Sequence, residues 1–261
     1  MSAGPRGRAH LIDTFRRARR DRELAVAEGF HAMKHALRFD AELILVLRDE
    51  SAPLHELARE LAPDLADRFD AIAQPLPAED FAQLAPRAAR TGVVALARRP
   101  APDVAGLLSQ RGSAPIVLLE EPRDLNNVGA SIRVAAAADA AGVIVTGRHD
   151  PWHADAIRGS AGLHFALPVE WTRELPAVER PLIALDPDGE LTLASTLPER
   201  AVLAFGSERG GLSTELLAAA DAQMRIPMRA GVSSLNLATS VAAVLYASKV
   251  RESVRTGAPP M

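Results

Sequence analysis

Apolar positions along this chain switch between a period of 3.6 and a period of two, and the switches mark out the elements. Arg8–Val26 carries apolar residues at helical spacing, and Glu28-Gly29 either ends that helix or begins a short extended piece. Phe30–Arg38 predicts a second helix, and the compact apolar run Ala41–Leu47 (AELILVL) predicts a strand. Leucine and alanine recur at helical spacing through Ala52–Phe69, with Pro63 placed to interrupt them. Asp70–Leu76 predicts a strand, Ala78–Leu84 a short helix and Gly92–Ala97 a strand. Arg98-Arg99-Pro100-Ala101-Pro102 then reads as a linker. It separates a small α/β domain, residues 1–100, from a second domain, residues 114–261.

In the second domain strands are expected at Ile116–Leu119, Gly142–Thr146, Phe165–Val169, Pro181–Leu185, Ala201–Phe205 and Met224–Pro227. Helices are expected at Val128–Ala140, Ala154–Gly159, Thr214–Ala220 and, closing the chain, Ser234–Val254. Strands alternating with helices predict a parallel sheet covered on both faces.

Composition narrows the chemistry. The 261 residues include no cysteine, which excludes disulfides, cysteine zinc sites, iron–sulfur clusters and a thiol nucleophile. The pairs His31/His35 and His149/His153 have i, i+4 spacing but no evident third ligand, so no metal is expected. The longest charge-free apolar stretch, Ala230–Ser248, holds four serines, a threonine and an asparagine, and predicts an amphipathic or buried helix instead of a membrane span. With no signal-peptide core after Met1, a cytoplasmic protein is expected. Residues 1–22 hold seven arginines against two aspartates, a charge of +5, which leaves −8 on the other 239 residues of a chain with net charge −3. A basic head on an acidic body points to a polyanionic partner, or else to a solvated helix face.

Neither GxGxxG nor GxxxxGK[ST] occurs, and Gly231-Val232-Ser233-Ser234-Leu235 fails as a GxSxG elbow at its last position. Three other segments concentrate polar residues and glycine at strand ends, where ligands sit in α/β sheets. The first is Glu121-Pro122-Arg123-Asp124-Leu125-Asn126-Asn127-Val128-Gly129-Ala130-Ser131-Ile132-Arg133, with Asn127 expected to cap the helix that follows. The second is Leu203-Ala204-Phe205-Gly206-Ser207-Glu208-Arg209-Gly210-Gly211-Leu212-Ser213. The third is Arg225-Ile226-Pro227-Met228-Arg229-Ala230-Gly231-Val232-Ser233-Ser234-Leu235-Asn236-Leu237-Ala238-Thr239, whose Asn236 is expected inside the closing helix or buried, in need of a hydrogen-bond partner.

In this order and spacing the three segments resemble the SpoU (TrmH) family of RNA ribose methyltransferases, within the knotted SPOUT class. The first half is similar to the substrate-binding domain often attached to that family, itself like small ribosomal RNA-binding proteins. One departure stands in the first motif: the family usually has Asp-Pro before its asparagine, where this chain has Asp124-Leu125 and then Asn126-Asn127. The resemblance implies a trefoil-knotted C-terminal domain, S-adenosyl-L-methionine as cofactor, and a homodimer formed through the closing helix. It implies main-chain cofactor contacts from Gly206, Ile226 and Leu235, with Met228 and Ser234 nearby. It gives Arg133 the central catalytic role, with Asn127, Glu208, Ser234 and Asn236 orienting it and the ribose. A guanidinium stays protonated in water, so Arg133 suits charge stabilisation better than proton abstraction. The implied partner is RNA, ribosomal ahead of transfer RNA, held by Arg16, Arg17, Arg19 and Arg20 together with Arg133 and Arg158. If the head is a solvated face, Arg87 and Arg90 take its place beside Arg133 and Arg158. Two alternatives stay open: a non-catalytic RNA-binding protein of the same fold, and an enzyme of the class that methylates a base.

Overall fold

The computed structural model describes residues 5–86, 89–177 and 179–256; Met1 to Gly4 of the basic head and Arg87 lie outside them. The chain forms two compact units, residues 1–101 with 152–166, and residues 102–151 with 167–261.

The first unit holds α1 (Pro5–Ala18), β1 (Leu24–Glu28), α2 (Phe30–Arg38), β2 (Leu43–Asp49), α3 (Leu54–Leu61), α4 (Ala66–Ile72), β3 (Ala73–Leu76), α5 (Ala78–Phe81) and β4 (Val93–Arg98). Its strands run in the order β1-β4-β2-β3, with β4 antiparallel to both neighbours and β2 parallel to β3. The helix expected to run on to Val26 stops at Ala18, and the Asp21 carboxylate accepts the Glu23 N–H in a turn (2.8 Å) that releases the chain into β1. Pro63 breaks the expected Ala52–Phe69 helix into α3, a 3-10 turn at Pro63–Leu65 and α4. Ile12, Phe15 and Ala18 recur at a spacing of three along α1 and enter the core with Val26, Leu47 and Leu96.

The second half of the chain adds α6 (Val104–Ser109), β5 (Ile116–Leu119), α7 (Leu125–Ala137), β6 (Gly142–Thr146), α8 (Ala154–Gly159), β7 (Val169–Thr172), β8 (Leu182–Leu185), β9 (Leu191–Thr192), β10 (Val202–Phe205), α9 (Thr214–Ala219), β11 (Ala222–Arg225) and α10 (Leu237–Thr256). Seven strands pair in parallel in the order β7-β6-β5-β10-β8-β11-β9. Ile116, Leu118, Ile144, Ala184 and Ala204 pack with Leu107 of α6 and Leu216 of α9. Their alternate neighbours Val117, Leu119, Val143, Val145, Leu203 and Phe205 are also buried and project to the other face, where α7 packs against α10. Burial on both faces is why these strands read as continuous apolar runs.

Several boundaries differ from the sequence expectation. Residues 104–109, expected to lie between the two domains, form α6, capped by the Asp103 side chain on the Gly106 N–H, and belong to the second unit. The strand expected at 165–169 is a 3-10 turn at Leu163–Phe165 followed by β7, and Pro168 contributes only its carbonyl, to the Val143 N–H. Arg180, 2% exposed, donates to the carbonyls of Leu108, Gln110, Ala114 and Arg200 and so ties the segment before β5 to the start of β10. Among the described residues no helix is long and apolar enough to cross a membrane.

The largest correction concerns residues 152–166, expected in the second domain and found in the first unit. Four contacts hold them there. Ala154 enters the first core, and the His35 ring Nδ1 lies 2.7 Å from the Ala161 carbonyl. Gly162, at φ +81, lies so close to α2 that a Cβ would stand 2.4 Å from the Ala32 oxygen. The Glu28 carboxylate, 4% exposed, receives Arg19 on one oxygen (2.5 Å) and Arg158 on the other (2.9 Å). Burial pushes the His35 imidazole below its ordinary value, against the opposing pull of the Ala161 hydrogen bond.

This triad has a measurable consequence. Removing Arg19 or Arg158 alone leaves Glu28 one cation; removing both leaves a buried carboxylate without a counter-charge. Arg19→Ala and Arg158→Ala should each cost about 1 kcal/mol and the double variant about 3–5 kcal/mol in all, more than the two single costs together. Urea denaturation in a double-mutant cycle measures the coupling; strict additivity would refute it.

Candidate active site

The three motif segments meet at the carboxyl ends of β5 and β10. Connections leave β5 toward β6 and β10 toward β11, in opposite directions across the sheet, so this is the switch point of the topology.

Each segment arrives there for a local reason. After β5 the chain turns sharply at Glu121, a non-glycine residue at φ +45. Asp124, not Asn127, caps α7, its carboxylate accepting the Asn126 N–H at 2.8 Å. The helix therefore starts at Leu125, three residues earlier than expected, and Asn127 lies within its first turn with its side chain free for longer contacts. After β10 the chain folds back on itself. Ser207 and Gly211 exchange two backbone hydrogen bonds of 3.0 Å, and the Ser207 hydroxyl accepts the Gly210 N–H. Gly206 is crowded by this closure: a Cβ there would stand 2.0 Å from the Gly211 carbonyl carbon. Its glycine is thus demanded by the turn's own backbone, whatever lies beyond it.

The third segment leaves β11 as an extended loop, and α10 begins at Leu237 instead of Ser234. Asn236 is exposed and precedes the helix, correcting the expectation of a buried residue inside it. Its side-chain oxygen accepts the N–H groups of Ala238 (3.0 Å) and Thr239 (3.3 Å), which makes it the cap of α10.

Because that oxygen is committed to the cap, the Asn236 nitrogen must point the other way. It donates to the Asn127 oxygen at 2.8 Å, and the Asn127 nitrogen donates to Glu208 at 2.9 Å. The second Glu208 oxygen accepts the Arg123 N–H at 3.0 Å. One side chain from each motif is joined in a single directed chain that ends on a carboxylate. Burial works to raise the Glu208 carboxyl, but the Asn127 amide and the backbone N–H groups of Arg123 and Asp124 outweigh it and hold it below the ordinary glutamate value. Glu208 is therefore an ionised acceptor, not a reservoir for a proton near neutral pH.

The other expected residues fall into two groups. Arg133 is exposed on α7 and makes no hydrogen bond or ion pair with the described residues; Ser234 and Leu235 are exposed on the loop before α10, and Ile226 and Met228 are half-buried near its start. In the head, Arg17 pairs with Asp13 at 2.8 Å, while Arg16 and Arg20 are exposed. Arg19 and Arg158, expected on RNA, are instead the two cations on Glu28, and Arg158 also bonds Asp155. Sequence reasoning missed Asp124 as the cap of α7; an Asp two residues before Asn126 is the signal that could have found it.

Comparison with known proteins agrees with this architecture. The model of the SpoU rRNA Methylase family matches residues 114–246, about half of the chain, and the chain belongs to that family. An uncharacterized tRNA/rRNA methyltransferase of Mycobacterium bovis is 34% identical over 169 residues, and the match spans 59% of this chain but only 58% of that relative's length. The 23S rRNA (adenosine(1067)-2'-O)-methyltransferase of Streptomyces azureus is 28% identical over 247 residues, 90% of each chain. Among solved structures, the SpoU methyltransferase AviRb from Streptomyces viridochromogenes, in complex with the cofactor AdoMet, shares the fold with a TM-score of 0.76, 97% of this chain and 99% of that one covered, at 23% identity.

The lowered Glu208 value sets a pH dependence. A carboxyl whose folded value is depressed stabilises the fold fully above its unfolded value, and that contribution is lost as pH falls through the folded value. Glu208→Gln should therefore flatten the acid limb of the stability curve below roughly pH 5. Thermal denaturation from pH 7 down to the acid limit tests this; parallel curves for the two proteins would assign the limb to other carboxylates.

Proposed function

We propose that this protein transfers a methyl group from S-adenosyl-L-methionine to a ribose 2′-hydroxyl of RNA, with ribosomal RNA ahead of transfer RNA. The observation that carries this reading is the Asn236–Asn127–Glu208 chain, which joins all three motifs at one point. Family membership and the 2′-O-methyltransferase from Streptomyces azureus support the chemistry.

The loop before α10 suits the cofactor. Between Met228 and Leu235 a single hydrogen bond forms among the described residues, from the Val232 N–H to the Arg229 carbonyl at 3.1 Å. The remaining backbone groups there are open to an adenine edge, and Val232 (47% exposed) and Leu235 (42%) offer apolar cover for its faces. Ile226, Met228, Ser234 and Leu235 would line the cofactor, beside the turn at Gly206. When bound, the cofactor supplies an electrophilic methyl group. The chain's residues must handle the hydroxyl proton and the charge left on oxygen. Arg133, exposed and without a side-chain partner among the described residues, would hold the flanking phosphate and the negative charge developing on the 2′-oxygen; a guanidinium that stays protonated does this without acting as a base. Asn127, Glu208 and Asn236 fix α7, the turn and the loop against one another, and Ser234 stands on the loop to orient the ribose.

Four finer features belong to the same proposal. The second unit would be knotted as a trefoil, a reading supported by the return of the chain from β11, past β8 and β10, to pack α10 on α7. The first unit would bind RNA through Arg16, Arg17 and Arg20, and the protein would act in the cytoplasm. Tyr246, Val250 and Val254 form an exposed apolar row at i, i+4, i+8 along α10 that suits a homodimer. Sedimentation at micromolar concentration should accordingly give a dimer; a 27.8 kDa species would refute it.

Labelled methyl transfer to purified RNA fractions, with the modified nucleoside mapped, tests the whole reading. Wild type should yield a 2′-O-methylated nucleoside; a methylated base, or no transfer, would overturn it. Arg133→Ala should lower kcat about 10²–10³-fold with cofactor affinity near wild type. Arg16→Gln with Arg20→Gln should leave cofactor affinity alone and reduce the logarithmic salt slope of RNA binding by roughly 0.7–0.9 per lost phosphate contact. An unchanged slope would move the RNA contacts off the head.

A further inference from the structure

We infer that Glu120, a residue outside the three motifs, positions the turn that carries Gly206 and Glu208. Glu120 follows the last residue of β5 and is bonded to both ends of that turn. Its backbone N–H donates to the Phe205 carbonyl at 2.9 Å, where the turn begins. Its carboxylate takes the Ser213 N–H on one oxygen (2.7 Å) and the Ser213 hydroxyl on the other (2.6 Å), where the turn ends. The seven residues between are thus clamped at entry and exit by a single residue of the neighbouring strand. Hydrogen bonds to a carboxylate are among the stronger ones, and both here are short.

The clamp is not needed to start α9. The Ser213 hydroxyl does that itself by accepting the Leu216 N–H at 3.2 Å, and it has a proton left to give. What the carboxylate adds is a fixed place for Ser213 relative to β5. Glu120 also stands immediately before the Glu121–Asp124 segment, whose Arg123 N–H bonds Glu208. One strand end therefore sets both the donor side and the acceptor side of the Glu208 contact. Glu120 touches neither cofactor nor ribose in this scheme; it acts through Ser213 and the turn. Its effect on methyl transfer rests on the function proposed above, whereas its hold on the turn does not.

The test separates the two. In Glu120→Ala, amide hydrogen exchange at Ser207 and Gly211 should accelerate at least about tenfold, with α7 and α10 amides unchanged, and affinity for S-adenosyl-L-methionine should fall at least about tenfold. Glu120→Gln should recover most of both, because its amide oxygen accepts the Ser213 N–H and its nitrogen donates to the hydroxyl. A purely structural residue would lower thermal stability and leave the folded protein's cofactor affinity intact. In folded Glu120→Ala, an unchanged Gly211 exchange rate or an unchanged cofactor affinity overturns the assignment. Should Glu120→Ala fail to fold, Ser213→Ala removes the hydroxyl half alone: faster Gly211 exchange supports the clamp and an unchanged rate overturns it. If wild type binds no cofactor, the proposed function falls, and exchange alone decides whether Glu120 holds the turn.

Discussion

The rest of the site depends on one commitment, that of the Asn236 side-chain oxygen to the first N–H groups of α10. A free asparagine can rotate its amide and offer either oxygen or nitrogen to a neighbour. Capping removes that choice, since turning the amide over would leave two helix N–H groups facing an NH₂. The nitrogen then has to donate, Asn127 has to accept with its oxygen and donate with its nitrogen, and the final partner has to be an acceptor. A carboxylate satisfies that end better than any neutral group. The ionisation of Glu208 and the start of α10 are consequences of the same hydrogen-bond polarity.

That polarity needs its parts at fixed separations, and the parallel sheet provides them. β5 and β10 are neighbours in register, Leu119 opposite Phe205, so the segments that follow them leave at the same height. Glycine at 206, where a side chain would collide with the turn, and at 211, in the left-handed region at φ +66, then lets the second segment double back within a few residues. The first segment turns at a non-glycine residue in the left-handed region, Glu121, a conformation that persists only where its surroundings enforce it. Rigid strands deliver the two ends, and short, over-determined turns place the groups.

Much of this was legible in the chain. The strands of the second unit are buried on both faces, so their apolar runs stand out, and β5, β6 and β10 lie within a residue of where periodicity put them. Spacing misplaces a helix start where the cap lies two or three positions from the expected start: Asp124 caps α7 in place of Asn127, and Asn236 caps a helix expected from Ser234. Capping is a competition between adjacent short polar side chains, and the winner depends on what else each can reach, which spacing does not encode. The assignment of residues 152–166 to the first unit was illegible for a related reason. Its signals are one glycine needed for close approach, one carbonyl and one arginine, none of which is periodic.

The arginines make the same point about charge. With 30 basic residues in the chain, sequence counts them as equals. The structure sorts them by what already occupies them. Arg19 and Arg158 share the buried Glu28, and Arg180 is saturated by four carbonyls. An arginine so engaged has little to offer a phosphate, because moving it would take one of two cations from a buried carboxylate or break several carbonyl hydrogen bonds at once. An arginine that is exposed, unpaired and fixed on a helix has its hydrogen-bonding capacity intact, and among the described residues Arg133 meets all three conditions. In the role proposed for it, Arg133 thus depends on what it does not touch as much as on its place six residues beyond Asn127.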